Sequence, residues 1–342
     1  MKQVAIGIDI GGTNTAIGVV DRGGNVLHEK KPLLPTPQKN DNPDARLDVS
    51  DELCQNFIDR ISSEIRVAIE AVKKTIPDLE VTGIGIGAPF ANYYDGTIGI
   101  TANLPFVNVV HLTDLIQAKL PELSIIKATN DANAAALGEM IYGGAIGMRN
   151  FVMITLGTGL GSGIIVNGDL VYGHDGLAGE LGHVTAVPDG RQCGCGSKGH
   201  LETYCSATGI KRTVFELLAR TINNGSSLAK VSYNELTAKM VYDAAMQNDP
   251  IAIEAFEYTG EILGRCLADA VHYLSPEAIF LFGGPTAAGE LLFKPARESM
   301  EHYLLPFYRN KVKILPSELK AGTAAIVGAS ALVWKEIDKC KS

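Results

Sequence analysis

Two stretches of this chain repeat one layout of strands and glycine turns, and no other feature constrains the fold as strongly. The first, GIDIGGTNTAIGVVDRGGNVL, begins at Gly7, and the second, MITLGTGLGSGIIVNGDLVYG, begins at Met153. Each stretch is typical of a buried strand, a tight glycine–threonine turn, a second strand, a glycine turn and a third strand. Because an internal repeat reports directly on architecture, we predict an α/β protein of two related domains, each presenting its first turn toward a shared cleft.

Length, charge and hydropathy argue against several classes of protein. The chain has 342 residues, 46% of them hydrophobic, which suits about two domains. Its net charge is −8 and it has no basic run, so nucleic acid is not expected as a partner. No apolar run reaches the roughly 18 residues of a membrane span, and the N-terminal sequence lacks a signal-peptide pattern. We expect a cytoplasmic protein that binds neither membranes nor nucleic acids.

The first glycine turn carries residues suited to a phosphate group. Asp9 ends the first strand beside Gly11, Gly12 and Thr13. Successive backbone N–H groups in such a turn form an anion-binding nest, and glycine lets a phosphate approach closely. The carboxylate is suited to hold Mg²⁺, directly or through water. The alternative is an ordinary hairpin whose glycines serve geometry alone.

The second turn, which contains Thr158 and Gly159, repeats this arrangement. Its sequence, GTGLGSG, is close to a dinucleotide-binding fingerprint, but the third glycine is out of place and a hairpin follows instead of a helix. The chain also lacks the G-x-x-x-x-G-K-[ST] pattern of a P-loop. Both turns therefore remain candidates for phosphate binding, in a fold that is neither a dinucleotide-binding fold nor a P-loop fold.

Two further candidate positions follow predicted strands. Asp131 lies where a strand over 124–128 meets a helix over 131–142. It serves there either as the helix N-cap or as a functional carboxylate at the carboxyl end of a strand. Nearer the C-terminus, a strand over 277–282 ends in Gly283 and Gly284. These glycines offer either a flat surface for a ring such as adenine or a plain turn.

A short segment between residues 174 and 205 concentrates nitrogen and sulfur metal ligands. Zinc in structural sites takes four such ligands from closely spaced positions, and the intervening glycines allow tight turns. Incidental cysteines in a surface loop are the alternative. The segment contains a spare ligand, Cys205, two flanking acids, Glu180 and Glu202, and four candidate zinc ligands, His183, Cys193, Cys195 and His200.

Together these motifs resemble the ROK family of bacterial sugar kinases and sugar-responsive repressors, which have the actin-like ATPase (ribonuclease H-like) fold. The resemblance covers essentially the whole chain, in the family's order, and within the family it is strongest to the bacterial glucokinases. The motifs are D-x-G-G-T-N at 9–14, N-D-A-N at 130–133, L-G-T-G at 156–159, G-E-L-G-H at 179–183, C-G-C-G-S-K-G-H-L-E at 193–202 and G-G at 283–284.

The resemblance implies a role for each candidate residue. Asp131 is similar to the family's catalytic base, which takes the proton of the sugar 6-hydroxyl. The residues that match sugar-binding positions are Asn103, Asn130, Asp131, Glu180, His183 and Glu202. The residues that match the phosphate and Mg²⁺ turns are Asp9, Gly11, Gly12, Thr13, Thr158 and Gly159, and Gly283 and Gly284 match the adenosine site.

The implied activity is ATP-dependent phosphorylation of a hexose 6-hydroxyl, with glucose as the expected sugar. Alternative sugars are N-acetylmannosamine, N-acetylglucosamine, fructose or allose, and polyphosphate is an alternative donor. Alternative functions are a sugar-sensing regulator or a non-catalytic sugar-binding protein, the second of which the presence of Asp131 disfavours. The regulator is disfavoured because the first glycine turn begins at residue 9, which leaves no room for a helix-turn-helix module. The family also suggests a homodimer or homotetramer.

One position departs from the family pattern, in which a third cysteine ends the metal motif. Here that position is His200, a competent zinc ligand. We therefore expect a site of two histidines and two cysteines, with Cys205 as the fallback ligand and an empty site as the remaining alternative. The smaller domain is expected at 1–130 plus 320–342, and the larger at 131–319.

Overall fold

The computed structural model describes residues 1–37, 52–99, 104, 106, 108–221 and 225–339. Its backbone forms two compact units. The first comprises Met1–Gly147, Leu170–Ala178 and Glu318–Ser342, and the second comprises Met148–Asp169 and Gly179–Ser317. In chain order the strands and helices are β1 (Lys2–Ile10), β2 (Asn14–Asp21), β3 (Val26–Glu29), β4 (Leu34–Pro35), α1 (Glu52–Lys73), β5 (Leu79–Gly87), α2 (Leu112–Lys119), β6 (Ile126–Thr129), α3 (Asp131–Tyr142), β7 (Phe151–Leu156), β8 (Leu160–Val166), β9 (Asp169–Leu170), α4 (Glu202–Cys205), α5 (Ala207–Arg220), α6 (Ala238–Ala245), α7 (Pro250–Leu274), β10 (Ala278–Phe282), α8 (Glu290–Tyr303), β11 (Lys313–Pro316) and α9 (Ala324–Lys339).

The sheet of the first unit has the order β3-β2-β1-β5-β6, with β4 also pairing with β2. Strand β1 is antiparallel to β2 and parallel to β5, and β5 is parallel to β6. The central strand β1 is buried on both faces, which explains its nearly continuous apolar sequence. One face, with Ile6 and Ile8, packs with α1 residues such as Ile61 in a single hydrophobic core.

The other face of this sheet is covered by α9, from the far end of the chain. A Cβ atom on Gly7 of β1 would collide with the backbone of Ile326, and one on Gly85 of β5 would collide with the backbone of Ala329. Glycine at both strand positions therefore lets the helix lie directly against the sheet.

The sheet of the second unit has the order β11-β10-β7-β8-β9. Its strand β7 is antiparallel to β8, across the second glycine turn, and parallel to β10, which is parallel to β11. Both sheets thus have the same strand order. The third, second and first strands of the repeat lie side by side, and two strands from later in the chain continue the sheet parallel to the first. This topology confirms the predicted α/β class and the predicted repeat of strand, turn and strand.

The compact units differ from the predicted domain boundaries. The expected boundary after residue 130 separates β6 from α3, whereas the first unit continues to Gly147. Helix α3 packs closely on α9, since a Cβ on Gly138 would lie 2.9 Å from the Cα of Gly328. The segment Leu170–Ala178 also belongs to the first unit, where Tyr172 stacks on Tyr93 with ring centroids 4.0 Å apart.

The helices of the second unit pack mainly on one another. Helix α7 lies along α8, and Gly260 and Gly264 leave room for the α8 backbone around Ala296. Within the part of the chain that the structure describes, no helix combines the length and apolar character needed to cross a membrane.

Candidate active-site and metal-binding residues

The first glycine turn joins β1 to β2, and the N–H of Gly11 donates to the carbonyl oxygen of Asn14 at 3.0 Å. Thr13 and Asn14 are exposed, and Gly11 and Gly12 are partly exposed. The turn thus keeps its backbone within reach of solvent, as a phosphate-binding nest requires. Asp9 lies just before it, at the end of β1.

Strand register places two carboxyl groups at one edge of the first sheet. Asp9 pairs with Gly87, and Gly87 pairs with Thr129, so the three parallel strands end side by side. Asp131 follows two residues after Thr129. A Cβ on Gly87 would lie 3.7 Å from both the Asp9 Oδ1 and the Asp131 Cα. Glycine at this position leaves the space between the two acids open.

Both carboxyl groups have raised pKa values. Burial, and next the charge of Asp131, raise the pKa of Asp9 from 3.8 to about 7. Solvent still reaches the Asp131 side chain. Protein atoms nevertheless surround its carboxyl group closely, and the resulting loss of hydration raises the pKa of Asp131. A hydrogen bond from the Ala132 N–H acts in the opposite direction but is the smaller effect. A carboxylate of raised basicity is suited to accept a proton near neutral pH.

The N-cap of α3 is Asn130, whose Oδ1 accepts the N–H of Ala132 at 2.8 Å. The interpretation of Asp131 as the N-cap is therefore wrong, because its neighbour performs that role. The Asp131 Oδ1 also accepts the Ala132 N–H at 2.8 Å, which orients the carboxyl at the first turn of the helix. Asn133, in the same first turn of α3, is buried and donates to the Oγ1 of Thr129 at 3.3 Å.

The second glycine turn, which joins β7 to β8, is one residue shorter than the first, because Leu156 pairs with Leu160 whereas Ile10 pairs with Thr15. The N–H of Gly157 donates to the carbonyl oxygen of Gly159 at 3.0 Å, and Thr158 is exposed. The turn has a partner that the sequence did not indicate: the Oε2 of Glu202 accepts the N–H of Leu160 at 3.1 Å.

The four candidate metal ligands lie together in the second unit. Their ligand atoms all lie within 4.8 Å of one another. The two histidine Nδ1 atoms are 3.2 Å apart. The Cys193 Sγ lies 3.9 Å from the Nδ1 of His183, and the Cys195 Sγ lies 3.3 Å from the Nδ1 of His200.

These separations fit a tetrahedral zinc ion. Zinc–nitrogen bonds of about 2.0–2.1 Å and zinc–sulfur bonds of about 2.3 Å place two nitrogens about 3.3 Å apart and a nitrogen and a sulfur about 3.6 Å apart. Cys205 is outside the cluster: it is buried, and its Sγ donates to the carbonyl oxygen of Thr259 at 3.5 Å. Among the described residues, His200 rather than Cys205 is therefore the fourth candidate ligand.

The two cysteines of the cluster have different acidities. Burial is the main cause that raises the pKa of Cys193 to about 11. The pKa of Cys195 is lowered, chiefly by a hydrogen bond from the backbone of Ser197. Since zinc binds the thiolate, Cys195 is the easier of the two to deprotonate on metal binding.

The candidate metal-binding loop, residues 183–200, is fixed to helix α5 by Arg191, a residue that the sequence did not single out. Its guanidinium makes two hydrogen bonds of 2.8 Å to the carboxylate of Glu216. It also bonds the Thr203 carbonyl oxygen at 2.8 Å and lies 4.4 Å from the centre of the Tyr204 ring. An arginine two residues before a C-x-C motif carries no sequence signature, so only the structure identifies this anchor.

The late glycine pair has two distinct roles. Gly283 has a φ of 116°, and a Cβ there would collide with the carbonyl oxygen of Leu156. Its requirement for glycine is thus explained by packing. A Cβ on Gly284 would meet no other described part of the chain within 4 Å, so the face of this residue is open. Of the two, Gly284 offers the free surface that a ring needs.

Each unit brings together part of the predicted site. Asn103 lies outside the described residues. The first unit contains Asp9, Gly11, Gly12, Thr13, Asn130 and Asp131, and the second contains Thr158, Gly159, Glu180, His183, Cys193, Cys195, His200, Glu202, Gly283 and Gly284.

Comparison with known proteins places this chain among sugar kinases. A glucokinase of Halalkalibacterium halodurans is 33% identical over 97% of this chain and 95% of its own length. A glucokinase of Streptomyces coelicolor is 34% identical over 96% of this chain and 97% of its own. A ROK family glucokinase from Streptomyces griseus, solved with glucose and AMPPNP, superposes with a TM-score of 0.76 at 32% identity, covering 97% of this chain and 99% of that one.

The model of the ROK family matches residues 5–336. Its span includes both glycine turns, Asp131, the candidate metal ligands and the late glycine pair. The full-length similarity and the repeated sheet order together confirm the expected actin-like ATPase fold. The chain therefore belongs to the ROK family.

Proposed function

We propose that this chain is a glucokinase, which transfers the γ-phosphoryl group of ATP to the 6-hydroxyl of glucose. The observation that carries the proposal is the near full-length similarity to glucokinases, one of them solved with glucose and AMPPNP. The carboxyl group of Asp131, at the edge of the first sheet, supports it chemically. The proposed setting is cytoplasmic carbohydrate metabolism, at the entry of glucose into glycolysis, by a homodimer or homotetramer.

In the proposed reaction, Asp131 is the general base. Its carboxylate accepts the proton of the 6-hydroxyl as that oxygen attacks the γ-phosphorus, and the bond to the β-phosphate oxygen of ATP breaks. Its raised pKa makes it a stronger base than an aspartate of ordinary pKa. The hydrogen bond to the Ala132 N–H holds its Oδ1 in place, which favours one orientation of the acceptor.

The phosphates are assigned to the two glycine–threonine turns. The N–H of Gly11 donates within the first turn and would shape it. Backbone N–H groups at Gly12 and Thr13, and at Thr158 and Gly159, are suited to hold phosphate oxygens. Asp9 would hold Mg²⁺, which neutralises phosphate charge when bound. The partly exposed carboxyl of Asp9 beside the first turn fits this role, as does the open face of Gly284 for adenine.

The sugar hydroxyls are assigned to Asn103, Asn130, Glu180, His183 and Glu202 on the family resemblance. In Asn130 the Oδ1 is occupied as the N-cap of α3, so its Nδ2 is the group left to donate to a hydroxyl. In His183 the Nδ1 faces the other metal ligands, which leaves Nε2 for the sugar.

The metal held by His183, Cys193, Cys195 and His200 is proposed to be zinc with a structural role. The ligand set of two nitrogens and two sulfurs and the separations described above support this choice. By fixing the rings of His183 and His200, the ion would set the position of the sugar-binding His183.

A coupled assay of ADP release over a panel of sugars tests the proposed function. With Mg·ATP, glucose should turn over strongly, and N-acetylmannosamine, N-acetylglucosamine, fructose and allose weakly. Polyphosphate should be a poorer donor than ATP. Preferred turnover of another sugar would overturn the assignment to glucose. Absence of turnover with every sugar, in zinc-loaded protein that binds one of them, would identify a sugar sensor instead.

A further inference from the structure

Glu202 lies between the metal cluster and the second glycine turn, and its two carboxylate oxygens face different partners. The Oε1 lies 3.5 Å from the Cys193 Sγ. The Oε2 accepts the backbone N–H of Leu160, the first residue of β8, at 3.1 Å. One side chain thus connects a metal ligand to the strand that leaves the turn.

The carboxylate also lies directly against the turn itself. A Cβ on Gly159 would collide with the Oε2 of Glu202. Any side chain at Gly159 would therefore displace Glu202 or open the turn. The position of the carboxylate and the shape of the turn thus depend on each other.

The segment after Glu202 holds the turn at a second point. The N–H of Ala207, the first residue of α5, donates to the carbonyl oxygen of Gly157 at 2.9 Å. The turn between Gly157 and Gly159 is thus fixed on one side through Leu160 and on the other through its own first residue.

The position of Glu202 is in turn set by the metal-binding loop. Glu202 begins α4 only two residues after the ligand His200, and the N–H of Thr203 donates to the His200 carbonyl oxygen at 3.0 Å. The bonds of Arg191 to Thr203 and Glu216 hold this part of the loop against α5. An ion that fixes His200 would therefore fix Glu202 as well.

We propose that Glu202 is a positioning residue for the second phosphate-binding turn, so that the metal cluster controls nucleotide binding in addition to sugar binding. The inference rests on the proposed function, because it takes the turn at Gly157–Gly159 to hold phosphate. It assigns to Glu202 a second role, through the backbone of Leu160, that does not require a sugar to be present.

The test is the affinity for Mg·AMPPNP without sugar, measured by isothermal titration calorimetry. Glu202→Ala removes the acceptor of the Leu160 N–H, and hydrogen bonds to charged groups contribute about 1.5–3 kcal/mol. We therefore expect Kd for AMPPNP to rise by about tenfold or more. Glu202→Gln keeps an oxygen that can accept the same N–H, so its Kd should stay within about threefold of the wild type.

Glu180→Ala is the matched control, since Glu180 is also assigned to the sugar, whereas the acceptor of the Leu160 N–H is Glu202. It should weaken glucose binding and leave the Kd for AMPPNP unchanged. Circular dichroism and zinc content by emission spectroscopy establish that each variant is folded and loaded. Removal of zinc by a chelator should raise the same Kd, and re-addition of Zn²⁺ should restore it.

A folded, zinc-loaded Glu202→Ala variant with wild-type affinity for AMPPNP would overturn the positioning role, even if glucose phosphorylation by the wild type is confirmed. An unchanged Kd after zinc removal would overturn the contribution of the metal. Wild-type protein that neither binds AMPPNP nor phosphorylates any sugar would instead overturn the proposed function itself, and this inference with it.

Discussion

Replacing Asp9 by asparagine should make the protein more stable at pH 8 and much less active. Burial and the charge of Asp131 raise the pKa of Asp9 from 3.8 to about 7. The folded state therefore binds this proton more tightly than the unfolded chain, so the ionised carboxylate costs stability. That cost is absent below the unfolded pKa of 3.8, grows as the pH rises, and is complete above about pH 7. The uncharged amide of the Asp9→Asn variant would not incur it.

The magnitude follows from the shift of about three pH units, each equivalent to about 1.4 kcal/mol. The upper limit of the cost at pH 8 is therefore about 4 kcal/mol. The Asp9 side chain is partly exposed, which reduces this figure. We expect the stability advantage of Asp9→Asn over the wild type to grow by about 2 kcal/mol between pH 5 and pH 8.

Thermal unfolding of both proteins at pH 5, 6, 7 and 8, without added Mg²⁺, measures this difference. Asp78→Asn, at an exposed aspartate of the same unit, is the control for replacing one carboxylate by an amide. An Asp9→Asn variant that is less stable than the wild type at pH 8, or whose advantage is equal at all four values, would refute the reasoning. The variant should also lose Mg²⁺-dependent activity, because an amide replaces the carboxylate proposed to hold the ion.

Three further variants test other parts of the site. Asp131→Asn should keep glucose binding but lower kcat by about two orders of magnitude or more, and a near-normal kcat would contradict its role as base. Cys195→Ser should lose zinc and raise the KM for glucose, and unchanged zinc and KM would contradict the role of the cluster. Cys205→Ser should keep its zinc, and loss of zinc there would make Cys205 a ligand. Arg191→Ala should destabilise the protein by about 2–4 kcal/mol and speed zinc loss. Arg212→Ala is its control: this α5 residue makes one exposed hydrogen bond to the Gln192 carbonyl oxygen, so its loss should change stability little.

The repeat of strand and glycine turn is enough to predict the architecture, because hydrophobic periodicity and turn residues are local properties of sequence. The antiparallel pairing of β1 with β2 and of β7 with β8 confirms both predicted hairpins. The composition of the candidate metal cluster is also predictable. Its four candidate ligands fall within eighteen residues of one another, which allows a single loop to bring them together.

What the sequence cannot provide are contacts between distant segments. The N-cap of α3 is Asn130, one residue before Asp131. Both residue types are favoured N-caps, so only the backbone geometry shows which of the two caps the helix. The bond from Leu160 to Glu202 spans forty-two residues, and that from Arg191 to Glu216 spans twenty-five. Neither pair has a spacing that predicts contact. The extension of the first unit beyond residue 130 depends likewise on α3 packing against the C-terminal helix.

The cover that α9 gives to the N-terminal sheet has a consequence for synthesis on the ribosome. Strands β1, β2 and β5 emerge early, but the face that contains Gly7 and Gly85 has no partner until Ile326 and Ala329 have been made. During that interval an apolar surface stays open, and such surfaces promote aggregation. Folding of the first unit can therefore be completed only after α9 has been made, and a nascent chain truncated before α9 is expected to depend on chaperones.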